Sequence, residues 1–250
     1  MSLGSHLIEL RKRLFIAALA IVVGMVLGFI ASDFVLTALI QPIAEVAADQ
    51  GRAASLNFTD VSSAFDLRIQ IAFTVGVVLS SPVWLYQLFA FVMPGLKKNE
   101  KRYAIGFVLA AVPLFLAGCV AGWFVLPHMV TLLTGFAPEG TTALLTARSY
   151  FDFVLKLVLA IGIAFVLPVF LVMLNFAGVL SAVTILKSWR IAILAITLFT
   201  AIATPAADVM SMFLLAIPML VLYFAAAGIA TLHDRRVRRT RQQLDIELAV

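Results

Sequence analysis

Charge is what this chain has least of. Asp, Glu, Lys and Arg make up 12% of its 250 residues, against about 25% in a soluble globular domain. Hydrophobic residues make up 63%, and the mean hydropathy is +1.10. These values exclude a soluble globular class and indicate an integral membrane protein. Cysteine is limited to Cys119, so no disulfide can form within the chain, and its place in an apolar run suits a small buried packing residue. Short segments of alternating polarity, the mark of a membrane barrel, are lacking. No GxxxxGKS/T, HExxH, CxxC or GxSxG pattern occurs, so nucleotide hydrolysis and the familiar metal and serine chemistries are not indicated. The chain reads as a non-enzyme without cofactor or metal. His6, His128 and His233 are scattered and read as interfacial residues rather than ligands.

What the chain does have is a series of apolar runs near the length of about 20 residues that a helix needs to cross roughly 30 Å of hydrocarbon. Residues 1–13 form a short polar segment whose SHLIELRKRL reads as an amphipathic surface helix, with Leu7, Leu10 and Leu14 on one side. The first run follows over about 14–34. It is too long for a signal-peptide core and no A-x-A site follows it, so it reads as an uncleaved span. A polar connection is expected over 35–66, then a second run over 67–91 bent at Pro82. The third run covers 103–126 with Pro113 inside, and a second polar connection covers 134–150. The fourth covers 151–176 with Pro168, the fifth 189–203, and the sixth 209–229. The fifth is short, because fifteen residues rise only about 22 Å at 1.5 Å each.

Fourteen of the 18 Lys and Arg residues fall in the N-terminal segment, the 97–102 loop, the 187–190 loop and the tail. Most acids lie at the opposite ends of the runs. By the positive-inside rule both termini face the cytoplasm. The expected fold is therefore an all-α integral membrane protein with six transmembrane helices, the fifth and sixth short. One domain is expected over 1–231, followed by a basic, flexible cytoplasmic tail over 232–250. Residues Arg235, Arg236, Arg238, Arg239 and Arg241 of that tail suit orientation and attraction to anionic lipid; nucleic acid is not an expected partner.

Asp152 and Lys156 stand one helical turn apart in the order that favours an ion pair. On the cytoplasmic side, outside the tail, only two carboxylates remain, Glu9 and Glu100. Glu9 can pair with Arg13 at i,i+4, and Glu100 sits among Lys97, Lys98, Lys101 and Arg102. Both are expected at the membrane interface, where a lower effective dielectric strengthens attraction for a guanidinium. Either they are solvated neighbours of basic residues, or they bind a ligand bearing arginines.

SHLIELRKRL, SSPVWLYQLFAFVMPGLKKNEKR, APEG followed by SYFDFVL, FVLPV, and ATPAAD with LLAIPM, in this order and spacing, resemble the TatC family, the multi-spanning receptor subunit of the twin-arginine protein translocase. The resemblance runs from Ser5 to about Ile229. It implies a cupped, concave six-helix body in the inner membrane. It also implies recognition of the paired arginines of signal peptides on folded precursors, recruitment of single-span TatA/TatB-type subunits, homo-oligomers within a receptor complex, and export driven by the proton-motive force. By the same resemblance Glu9 and Glu100 ligate the twin arginines, Arg11 and Arg13 shape the N-terminal site, and Phe91, Pro94 and Leu96 form the apolar part of the pocket. Pro42, Pro138, Glu139, Gly140 and Asp208 belong to the outer cap.

Two positions depart from the family's pattern. Val166 stands where members commonly carry a glutamate, and Met212 where a glutamine is frequent. Both bear on how partner subunits dock rather than on signal-peptide recognition. Thr197, Thr200 and Thr204 can bond between helices or, more simply, to their own helix backbone. The competing class is a small secondary transporter with a path lined by proline-bent spans. No inverted repeat and no ionisable residue near the middle of a span supports it.

Overall fold

No glycine or proline separates the polar N-terminal segment from the first apolar run, so nothing stops a helix that has started there. In the structure, a computed structural model that describes residues 3–49, 56–57, 63–92, 101–135, 145–203 and 209–248, the two form one helix, α1 (Leu3–Ile30). The separate surface helix expected from the sequence is thus the first three turns of the span itself. Only Ala31 intervenes before α2 (Ser32–Asp49), and the hydrogen bonds Ala31 N to Leu27 O (3.0 Å) and Val35 N to Ala31 O (3.1 Å) nearly carry the ladder through. Much of the expected 35–66 connection is therefore helical, because Ala, Leu, Ile and Glu around Pro42 favour helix over loop.

The second run breaks where expected. α3 (Ser63–Leu79) and α4 (Ser81–Val92) meet at an angle of 59°. Pro82 occupies the first turn of α4, where a missing N–H costs nothing. Trp84 Nε1 donates to Val77 O at 2.9 Å, which satisfies a carbonyl near the end of α3. Next come α5 (Lys101–Gly135), α6 (Ala147–Phe176), α7 (Ala182–Lys187), α8 (Trp189–Ala203) and α9 (Val209–Leu248). A two-residue parallel pairing joins β1 (Leu56–Asn57) to β2 (Leu145–Thr146); the described residues are otherwise helical or in turns. Four helices are long and apolar enough to cross a membrane, five when α3 and α4 count as one span, and α8 is a shorter apolar helix. α8 is as short as expected, but α9 is not: its 40 residues continue through the basic tail to Leu248. Arg, Gln and Leu are good helix formers and no glycine or proline follows Gly228, so the segment expected to be flexible extends the sixth helix.

The chain divides into two compact units, residues 1–163 and 164–250, with α6 contributing to both. In the first unit α1 packs on α3 and α4, α4 on α5, and α2 on α3 and α5. The α1–α3 contact depends on glycine. A Cβ on Gly24 would come within 2.7 Å of Gly76 O, one on Gly28 within 2.7 Å of Ala72 O, and one on Gly76 within 2.7 Å of Met25 N. In lipid no hydrophobic effect drives helices together, so close backbone approach through small residues supplies the packing instead. Phe89, Phe115, Phe151, Ile71 and Leu85 are fully buried, and Trp84 meets Phe115 edge to face at 5.5 Å. Cys119 is buried as expected, its sulfur against the α6 backbone at Gly162. Leu19, Val22, Val23 and Val26 are exposed, which suits a surface facing acyl chains.

In the second unit α8 and α7 pack on α9 around Ala182, Ile185, Tyr223, Ala227 and Ala230. α6 ends at Gly178, whose φ of 75° gives the left-handed C-terminal turn, with Gly178 N donating to Asn175 O at 2.9 Å. Asp234 then clasps this turn. Its Oδ1 accepts from Asn175 Nδ2 at 3.0 Å and its Oδ2 from Ala182 N, in the first turn of α7, at 2.8 Å. Asn175 Nδ2 also donates to Leu180 O at 2.8 Å, and the Ser181 hydroxyl caps α7 by accepting from Thr184 N at 3.2 Å.

Two outcomes test this packing. Gly76→Val should lower stability by about 1–3 kcal/mol by forcing α1 and α3 apart, read as a fall in the thermal unfolding midpoint of the detergent-purified protein. Gly106→Ala, where a Cβ meets nothing within 4 Å, should leave it unchanged. Asp234→Ala should cost about 1–3 kcal/mol by leaving two donors without their acceptor, and amide hydrogen exchange should quicken in α7 ahead of the rest of the second unit.

Candidate functional site

His6, Glu9 and Arg13 recur at three- and four-residue spacing along α1, and Gln87 and Phe91 stand one turn apart on α4. The packing of α1 on α4 brings these two rows together. Arg13 donates twice to the same oxygen of Glu9, from Nε at 3.0 Å and from Nη2 at 2.7 Å. Its remaining terminal nitrogen, Nη1, donates to Gln87 Oε1 at 3.3 Å. The His6 imidazole stacks on the Phe91 ring, with centroids 4.5 Å apart and an interplanar angle of 22°.

Glu9 and Arg13 are 27% and 24% exposed, so the pair is partly withdrawn from water and its attraction exceeds that of a fully solvated one. Among the described residues both bonds use Glu9 Oε1, and Oε2 accepts none. The carboxylate is thus oriented by one guanidinium and retains acceptor capacity for a second. Arg11 and Lys12 are exposed beside it.

Of the expected site residues, the structure brings together Glu9, Arg13 and Phe91. Pro94, Leu96 and Glu100 lie outside the described residues, as do Pro138, Glu139, Gly140 and Asp208; Pro42 lies in α2, its side chain outside that set. Glu100 immediately precedes Lys101, the first residue of α5, and α5 packs on α4. Sequence reasoning misses His6 and Gln87. Their spacing from Glu9 and Phe91 is visible along the chain, but which helices meet is not.

A second polar grouping lies in the first unit around a cavity of about 580 Å³ lined by Asp66, Gln70, Arg148 and Asp152. Asp152 accepts from Lys156 Nζ at 2.6 Å, as its spacing predicts, and from Gln70 Nε2 at 2.6 Å. Arg148 pairs with Asp66 at 3.7 Å, and Arg68 with Asp33 at 2.6 Å. These charges are matched within the fold. Among the described residues no group of three His, Cys, Asp or Glu could hold a metal. Thr200 donates to Ile196 O and Thr197 O of its own helix, the simpler of its two expected roles.

Comparisons with known proteins agree with this arrangement of helices. The family model for the Sec-independent protein translocase protein (TatC) matches residues 5–218. The TatC protein of Xylanimonas cellulosilytica is 46% identical over 239 residues, covering 96% of this chain and 87% of that protein. TatCy of Bacillus subtilis is 31% identical over 242 residues, covering 96% and 92%. A crystal structure of the twin-arginine translocase receptor TatC in DDM superposes with a TM-score of 0.76 at 33% identity, over 90% of this chain and 99% of that one. On its sequence from residue 5 to 218 and on its fold, the chain belongs to the TatC family of Sec-independent protein translocase proteins.

Proposed function

We propose that this multi-pass membrane protein binds twin-arginine signal peptides through Glu9 and Glu100, with its termini and the Glu100 loop on the cytoplasmic side of the inner membrane. Membership of a translocase family gives the task, and the distribution of Lys and Arg supports the orientation. The observation that carries the site is the Glu9 carboxylate, partly shielded and already bonded to a guanidinium at 2.7 Å.

Arg13 indicates which group this carboxylate is shaped to accept, because its planar fork of donors is the one a signal-peptide arginine presents. One peptide arginine engages Glu9 at Oε2, or displaces Arg13 towards Gln87. The second engages Glu100 at the other end of the α4–α5 loop. His6, Phe91, Pro94 and Leu96 supply the apolar wall beside the pair, and Arg11 stays free at the rim. Pro42, Pro138, Glu139, Gly140 and Asp208 belong to the outer cap. Single-span subunits and further copies of this chain complete the export complex. No observation favours the solute transporter set against this reading.

Glu9→Gln and Glu100→Gln should each weaken a twin-arginine peptide by about tenfold to a hundredfold, since each removes a charge-assisted pair worth about 1.5–3 kcal/mol. The measurement is fluorescence binding of a labelled peptide to the protein in nanodiscs. A lysine-pair peptide should bind the parent protein weakly and be indifferent to both substitutions. Undiminished binding of the arginine peptide to both variants, with the proteins folded, rejects the clamp.

A further inference from the structure

The second unit contains a cavity of about 370 Å³ that the signal-peptide site does not use. Leu167, Pro168 and Leu171 of α6, Ile191 and Ala195 of α8, and the Tyr223 ring of α9 are among its walls. The Tyr223 hydroxyl is turned away to donate to Ile185 O at 2.6 Å, so the ring presents its apolar body. The volume falls in the range of about 300–1,000 Å³ typical of small-molecule sites. A transmembrane helix, about 10 Å across with its side chains, is too wide for it, whereas an acyl chain is not.

Chemistry changes at one end. Thr184 and Ser188 line the cavity there, and Lys187 and Arg190 stand on either side of Ser188. Both basic side chains are exposed, and neither has an ion-pair partner among the described residues. Arg190 lies over the Trp189 ring at 5.5 Å, and an indole beside cations is the side-chain set that lodges at headgroup depth. From Ser188 to Ile196 the cavity follows α8 for eight residues, about 12 Å of helix rise. That is slightly less than half of a roughly 30 Å hydrocarbon core, the depth of one leaflet.

We propose that this cavity is a site for one anionic phospholipid, an acyl chain lying between α6, α8 and α9 and its phosphate held by Lys187 and Arg190. The unmatched charges determine the class of headgroup, and the one-leaflet depth determines that the occupant is a lipid rather than a spanning segment. Bound there, the lipid lies against three helices of the second unit, α6, α8 and α9.

The test is native mass spectrometry of the full chain released from detergent after titration with phosphatidylglycerol or phosphatidylcholine of matched acyl chains. The parent protein should retain one phosphatidylglycerol at least about tenfold more readily than phosphatidylcholine, as two interfacial cations predict. Lys187→Gln with Arg190→Gln should abolish that preference while leaving weak retention of both lipids. Ala195→Phe, which fills the cavity, should remove retention of both, with the unfolding midpoint in lipid-free detergent reporting that each variant is folded. Equal retention of the two lipids by the parent, or unchanged phosphatidylglycerol retention in folded Ala195→Phe, overturns the proposal. So does loss of the lipid when a single-span subunit occupies the same face, because the groove would then belong to a protein.

Discussion

Hydrocarbon offers no hydrogen bonds, and the rest of this structure depends on that constraint. Backbone groups that cannot reach water must be satisfied along their own helix, so the described chain is helical almost throughout, and between directly consecutive described helices its interruptions fall at Ala31, Ser80, the 177–181 turn and Ser188. The bend between α3 and α4 illustrates the rule: a proline creates it, and the Trp84 indole satisfies a carbonyl beside it. Side-chain charge obeys the same constraint. Asp152 with Lys156 and Gln70, Asp33 with Arg68, and Glu9 with Arg13 all stand near helix ends, and each carboxylate has a partner within 3 Å.

The same solvent removes the usual force between helices. Apolar side chains on α1 gain nothing by turning from lipid to protein, which is why so many are exposed. Association then rests on contact distance. Gly24 and Gly28 of α1 and Gly76 of α3 supply it by allowing one backbone to touch the other. The α1–α3 contact in turn fixes where the first turns of α1 meet α4, and so where Glu9, Arg13 and Gln87 converge. A carboxylate position thus depends on glycines that lie more than two helical turns away along the same helix.

Local features of the fold are legible in the sequence, and tertiary ones are not. Residues 189–203 stand out as a short fifth run and form α8 with those bounds, because Ser188 and Pro205 punctuate them. The Pro82 bend and the Asp152–Lys156 pair follow from a single residue type or a single spacing. α2 and the extension of α9 escape a reading by hydropathy, which reports membrane burial rather than helicity, and Ala, Glu, Arg and Gln form helices in water equally well. Within the candidate site, Glu9 and Arg13 share a helix and can be paired on paper. Gln87, like Gln70 and Asn175 elsewhere, becomes a partner only once a second element arrives from far along the chain.

Val166 and Met212, the two positions where the resemblance implies a polar residue, fit this physics. Val166 is 6% exposed, so a carboxylate there would need a buried partner or a proton, and valine removes that requirement. Met212, partly buried one residue after the buried Ser211, carries a flexible thioether that packs without needing a donor or acceptor. Thr200 spends its hydroxyl on its own helix. At Val166 and Met212, then, the second unit offers packing by shape and dispersion rather than a hydrogen bond. Specificity on that face must then arise where polarity returns, at the basic ends of α7 and α8.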